Sequence, residues 1–168
     1  CFSYTRRPFK SKTITTFLTI NPLANYTLYL TLCFFVPKNR FIQYFFSILW
    51  WWFDPQRLPE GVLALLSNPE TPIVVSSASV WELSIKHHQG KLPELEHAIT
   101  DLPALLRADG FQILSIAINH ALRAGAYCQL HRDPFDRMLA AQAELEQLVL
   151  ITADSQLSAF PCRQLWEG

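Results

Sequence analysis

The sequence predicts an α/β fold with a parallel sheet, on three observations. Short apolar runs of β character recur at residues 72–76, 111–116 and 148–152. Helical patterns with recognisable start signals lie between and after them. Gly, Asn-Pro or Asp-Pro punctuation closes the segments. Strands that alternate with helices build a parallel sheet, because a crossover must carry the chain back to its starting edge. At 168 residues the chain is long enough for one domain with a real core and too short for two full ones.

The first third stands apart. Residues 1–53 contain no Asp or Glu and carry Arg6, Arg7, Lys10, Lys12, Lys38 and Arg40, whereas residues 54–168 hold all 14 acids against eight Lys and Arg. The net charge of zero conceals this split. Residues 1–47 begin at Cys1, are rich in Thr, Phe, Tyr and Asn, and show no lasting period. They read as an atypical segment from an upstream or shifted frame, joined to a domain over residues 48–168. The apolar runs at 28–36 and 41–53 are each too short to span a bilayer. Basic residues before an apolar stretch have the charge order of a leader, but no small-residue cleavage site follows Val36. A leader or membrane hairpin is the lesser alternative, and no membrane contact is expected. Cys1, Cys33, Cys128 and Cys162 lack the paired spacing of a zinc site or disulfide framework, which fits a reducing cytoplasm. Cys128, in a helical pattern, is expected in the core.

In chain order, an apolar strand within residues 41–49 leads into Trp50-Trp51-Trp52-Phe53. Three consecutive tryptophans invite base stacking, although burial against the sheet with one ring exposed is the better reading. Asp54-Pro55 makes a turn, residues 59–66 have helical apolar spacing, and Asn68-Pro69 stops them. Residues 72–76 form a buried strand, and Ser79-Val80-Trp81-Glu82 is a capping box opening a helix to about His88. From this unit alone, Glu82 is the capping partner of Ser79. His87 and His88 belong at the solvated helix end before Gly90. A helix over 95–106 with a break or new start at Pro103, a strand over 111–116 and a helix over about 119–130 follow. After residue 148 come a buried strand, Asp154 in the turn beyond it, a short helix over 155–160 and an edge strand over 163–166.

Charge concentrates at residues 131–143, HRDPFDRMLAAQA. Asp133 caps a helix, Pro134 suits its first position, and Asp136 falls at the third, where a carboxylate faces free backbone N–H groups. Asp-Pro-x-Asp is also how an ordinary capped helix looks. Two carboxylates one turn apart, beside His131, Arg132 and Arg137, are more charge than a cap needs. In a parallel sheet the carboxyl ends of the strands share one edge, where ligands bind, and Glu82 and Asp154 both lie just beyond such ends. The helix at Asp133 has no strand before it, so pattern alone leaves Asp136 unplaced.

Three motifs, SSASVWELSIKHHQGKL, HRDPFDRMLAAQA and LVLITADSQL, resemble in order and spacing those of the PIN-domain ribonucleases, in particular the VapC-type toxins of bacterial toxin–antitoxin pairs. The resemblance covers about residues 49–166. It implies a PIN-like three-layer α/β/α sandwich with a central parallel sheet, whose clustered carboxylates bind Mg2+ or Mn2+ and cut RNA. Matched residue by residue, the metal-binding and catalytic acids are Glu82, Asp136 and Asp154, with Asp133 auxiliary at the metal. It also implies a cognate antitoxin partner and a homodimer formed through apolar helix faces. A cation that neutralises the phosphate and lowers the pKa of its bound water suits hard carboxylate ligands. Arg132 and Arg137 are the basic side chains placed to meet RNA; pairing with Asp133 or Glu144 is the equal alternative.

The chain departs from this family at the first motif, a strand ending in an Asp that binds metal. Alignment through Leu49-Trp50-Trp51 puts Tyr44 at that place, and no acid precedes Asp54. Two readings follow: a metal-dependent endoribonuclease toxin impaired by loss of its first ligand, and a non-catalytic PIN-like remnant that binds only an antitoxin-like partner.

Overall fold

The computed structural model describes residues 40–96, 98–128 and 131–166. The chain divides into two units, Cys1–Val36 and Pro37–Gly168, and every described residue belongs to the second. The leader and the first arm of the hairpin fall outside the described residues, whereas the second run, 41–53, is described and packs into the core.

Five strands form one all-parallel sheet: β1 (Phe41–Gln43), β2 (Ile73–Ser76), β3 (Gln112–Leu114), β4 (Val149–Ile151) and β5 (Arg163–Leu165), in the order β3-β2-β1-β4-β5. Among the described residues six helices accompany it: α1 (Phe45–Phe53), α2 (Glu60–Ser67), α3 (Ser77–His88), α4 (Leu102–Ala108), α5 (Ile118–Ala126) and α6 (Pro134–Leu145). This is the α/β/α architecture expected. The chain builds β1, β2 and β3 to one side and then crosses to place β4 against the other edge of β1. A crevice forms outside the carboxyl ends of strands at such a reversal.

Alternation along the strands makes two cores. Ile42, Val74 and Leu150 join Leu83, Ala124, Leu139 and Ala140 on one face, against α3, α5 and α6. Phe41, Ile73, Val75, Val149 and Ile151 join Ile48, Val62, Leu66 and Leu106 on the other, against α1, α2 and α4. The central strand therefore comes from upstream of residue 48. Gln43 on that strand is fully buried, and neither atom of its side-chain amide has a partner.

Several local expectations change. Ser79 is not the N-cap of α3; Ser76 is, its hydroxyl accepting from Ala78 N at 2.9 Å. Ser79 lies inside the helix and donates to Gln43 O at 3.2 Å, so Glu82 is released from capping. Pro103 marks a new start: α4 begins at Leu102, and residues before it form a 3₁₀ turn, Pro93–Leu95. Helix α5 ends at Ala126, which leaves Cys128 beyond it and exposed, not in the core. His88 is exposed, while His87 meets Glu96 at 3.3 Å. Among the described residues no helix is long and apolar enough to cross a membrane.

Candidate active site

Helices α3 and α6 carry the two buried acids. Ser76, at the end of β2, caps α3 and also donates to Gln142 Oε1 on α6, so one hydroxyl ties both acid-bearing helices to the sheet edge. Gln142 in turn donates to Ser115 O beyond β3. Helix α6 begins as its sequence predicts, with Asp133 Oδ1 accepting from Phe135 N at 2.8 Å and from Asp136 N at 3.3 Å.

Glu82 and Asp136 are 4% and 3% exposed, and each is half-satisfied. Lys86 Nζ lies 2.9 Å from Glu82 Oε1, and His131 Nε2 lies 2.6 Å from Asp136 Oδ2. Glu82 Oε2 and Asp136 Oδ1 are buried without a hydrogen-bond partner. Burial pushes the Glu82 carboxyl up to about 7 against the opposing pull of Lys86, and the charges of Asp133 and Asp136 add to the rise. Burial likewise raises Asp136, partly offset by His131 and by the Tyr44 hydroxyl, while the hydrogen bond to Asp136 raises His131.

Tyr44 follows β1 directly, its N–H donating to Ile151 O at 3.2 Å, and it is 8% exposed. Its hydroxyl is pushed far above the usual phenol range, first by burial and then by the charges of Asp136 and Glu82. The phenol thus stands among the acids at the carboxyl end of the central strand.

The acids expected from sequence are not gathered equally. Glu82, Asp136 and Asp133 act on one another electrostatically. Asp154 caps the 3₁₀ turn Ser155–Ala159 through Gln156 N, contributes to the field at His131, and lines a cavity with Tyr44. Among the described residues no three His, Cys, Asp or Glu side chains are grouped closely enough to hold one ion. Two orphaned carboxylate oxygens nevertheless suit a hard cation that keeps much of its water.

The arginines divide. Arg132 is exposed. Arg137 donates to the carbonyls of Ala124, Gly125, Tyr127 and His131, and so fastens the chain between α5 and α6. Glu144 pairs with Arg123 instead. Lys86 went unread in the sequence, although its spacing of four from Glu82 on a helix is a pairing signal.

The family model described as PIN domain matches residues 47–161, more than half of the chain. No curated protein matches.

Proposed function

The chain belongs to the PIN domain family, whose members are generally metal-dependent nucleases of RNA or DNA and commonly the toxins of toxin–antitoxin pairs, and on that footing we propose that it is an endoribonuclease toxin with a weakened metal centre. The observation that supports this reading is that two buried carboxylate oxygens, Glu82 Oε2 and Asp136 Oδ1, lack a hydrogen-bond partner on the two helices that Ser76 ties to the end of β2. Desolvating two carboxylates is costly unless positive charge offsets it, and a bound cation would add to what Lys86 and His131 supply.

In this account Glu82 and Asp136 would hold Mg2+ or Mn2+, with Asp154 and Asp133 as auxiliary acids. Bound there, the ion offsets phosphate charge and lowers the pKa of water. His131 fixes the orientation of Asp136 from the side away from its free oxygen. Lys86 supplies positive charge to Glu82 and an ammonium toward an incoming phosphate. Arg132 meets the RNA backbone, whereas Arg137 is assigned to holding the loop.

A second reading has its own support. With Tyr44 where relatives place an acid, and with Lys86 and His131 already on the carboxylates, the crevice also suits a partner that inserts a cation of its own, such as an antitoxin arginine. RNA cleavage by the full chain in Mn2+, in EDTA, and as Asp136→Asn separates the two. Cleavage that needs both the ion and Asp136 supports the nuclease; no cleavage, with tight capture of the product of a neighbouring gene, supports the partner-binding remnant.

A further inference from the structure

A cavity of about 330 Å3 opens beside the acids, lined by Tyr44, Phe46, Trp50, Arg57, Ala153 and Asp154. Phe46 and Trp50 stand one turn apart on α1 with their rings stacked, centroids 5.7 Å apart and planes inclined by 21°. The Arg57 guanidinium lies 4.8 Å from the centroid of Trp50, and Trp166 packs on that indole at 5.4 Å. The neighbouring tryptophans are used differently. Trp51 and Trp52 both donate their indole N–H to Asp109, at 3.3 and 2.7 Å, which accounts for them structurally.

Phe46, which also packs on Phe45 at 4.0 Å, is 38% exposed, Trp50 is half-buried and Arg57 is exposed, so the part of this stack that its neighbours leave uncovered lines the cavity. Flat π faces beside a planar cation suit a ligand that is itself flat and carries negative charge close by. A nucleotide has both properties, and every base has a π face to offer. The volume is at the small end of ligand pockets, near what one planar group needs. Tyr44, on which Asp136 and Glu82 act, lines the cavity with Asp154, so a strand held at those acids would extend toward it.

We propose that this cavity is a nucleobase subsite, taking one unpaired base of the RNA strand against Phe46, Trp50 and Arg57 next to the cleaved phosphate. The choice of RNA as ligand rests on the nuclease reading. The consequence is a requirement for single-stranded substrate at that position with little preference among bases.

The test measures binding of the full chain to a short single-stranded oligoribonucleotide by fluorescence anisotropy in EDTA, where no cleavage intervenes. In a series with one abasic residue moved along the strand, one position or two adjacent ones should weaken binding roughly tenfold. Phe46→Ala and Arg57→Gln, both on exposed side chains, should erase that dependence while Trp50→Phe, which keeps a π face, retains it; circular dichroism checks folding. Uniform affinity across the series, unchanged dependence in the variants, or no binding of any strand would overturn the subsite. A positional dependence without any metal-dependent cleavage would keep the subsite and remove the nuclease.

Discussion

Lys86 Nζ and Glu82 Oε1 lie 2.9 Å apart, one helical turn along α3, and the same ammonium sits 4.1 Å from the centroid of the Phe45 ring. The chain thereby supplies its own counter-charge to a buried acid. Truncating that cation, as in Lys86→Met, leaves Glu82 buried and uncompensated, a loss of about 2 kcal/mol in EDTA at a pH where the carboxyl is ionised. Mn2+ then has no ammonium to compete with. The upward shift of Tm on adding Mn2+ should be larger in Lys86→Met than in the parent chain, and thermal melts with and without the ion measure it. Equal shifts would show that the ion does not approach Glu82.

Gln43 sits fully buried on the central strand with its amide unpartnered. Replacing it by Leu removes the desolvation penalty and keeps the volume nearly constant. Gln43→Leu should gain about 1–2 kcal/mol in urea unfolding. A loss instead would reveal a partner for the amide in solution.

Glu144 accepts from Arg123 Nε and Nη2, each at 2.8 Å, and from the Tyr127 hydroxyl at 2.7 Å. Its carboxyl is therefore held below the usual range, Arg123 being the largest cause. A carboxyl depressed on folding stabilises above its unfolded pKa and loses that contribution as pH falls through the folded value. The group is partly exposed, so the effect is small: Glu144→Gln should cost under about 1 kcal/mol at neutral pH. The difference from the parent chain should vanish in acid, below the folded pKa. A gap that persists there would assign the effect to packing.

The fold was legible because its signals are local. Buried β runs, the Asp133 cap and Pro134 are each written in a few residues, and the structure repeats them. The entry to α3 was misread because Ser76, Ser77 and Ser79 all suit a cap, and only the sheet decides that Ser76 ends β2 and starts the helix. That one shift turns Glu82 from a capping partner into a buried acid with one unpartnered oxygen. The position of Asp136 depends on α6 packing beside α3, which no strand precedes and no periodicity reports. Pairing of His131 with Asp136 and the anchoring of Arg137 by four carbonyls are tertiary in the same sense. Among the tryptophans, the sequence shows three equal residues. Only the structure gives Asp109 to two of them and leaves Trp50 at the cavity.

On the proposed reading, the carboxylates of Glu82 and Asp136 form a nuclease centre that lacks one acid because Tyr44 stands in its place. Tyr44 ends the central strand among those acids, so an Asp there would add a third oxygen ligand and remove the phenol. The decisive measurement is the rate of single-stranded RNA cleavage in Mn2+ by the parent chain, Tyr44→Asp, and Tyr44→Asp with Asp136→Asn. The account predicts at least a roughly tenfold gain for Tyr44→Asp, in line with the loss usual when support of a metal site is removed, and its abolition in the double variant. Equal rates in the first two, or a gain that survives Asp136→Asn, would contradict it.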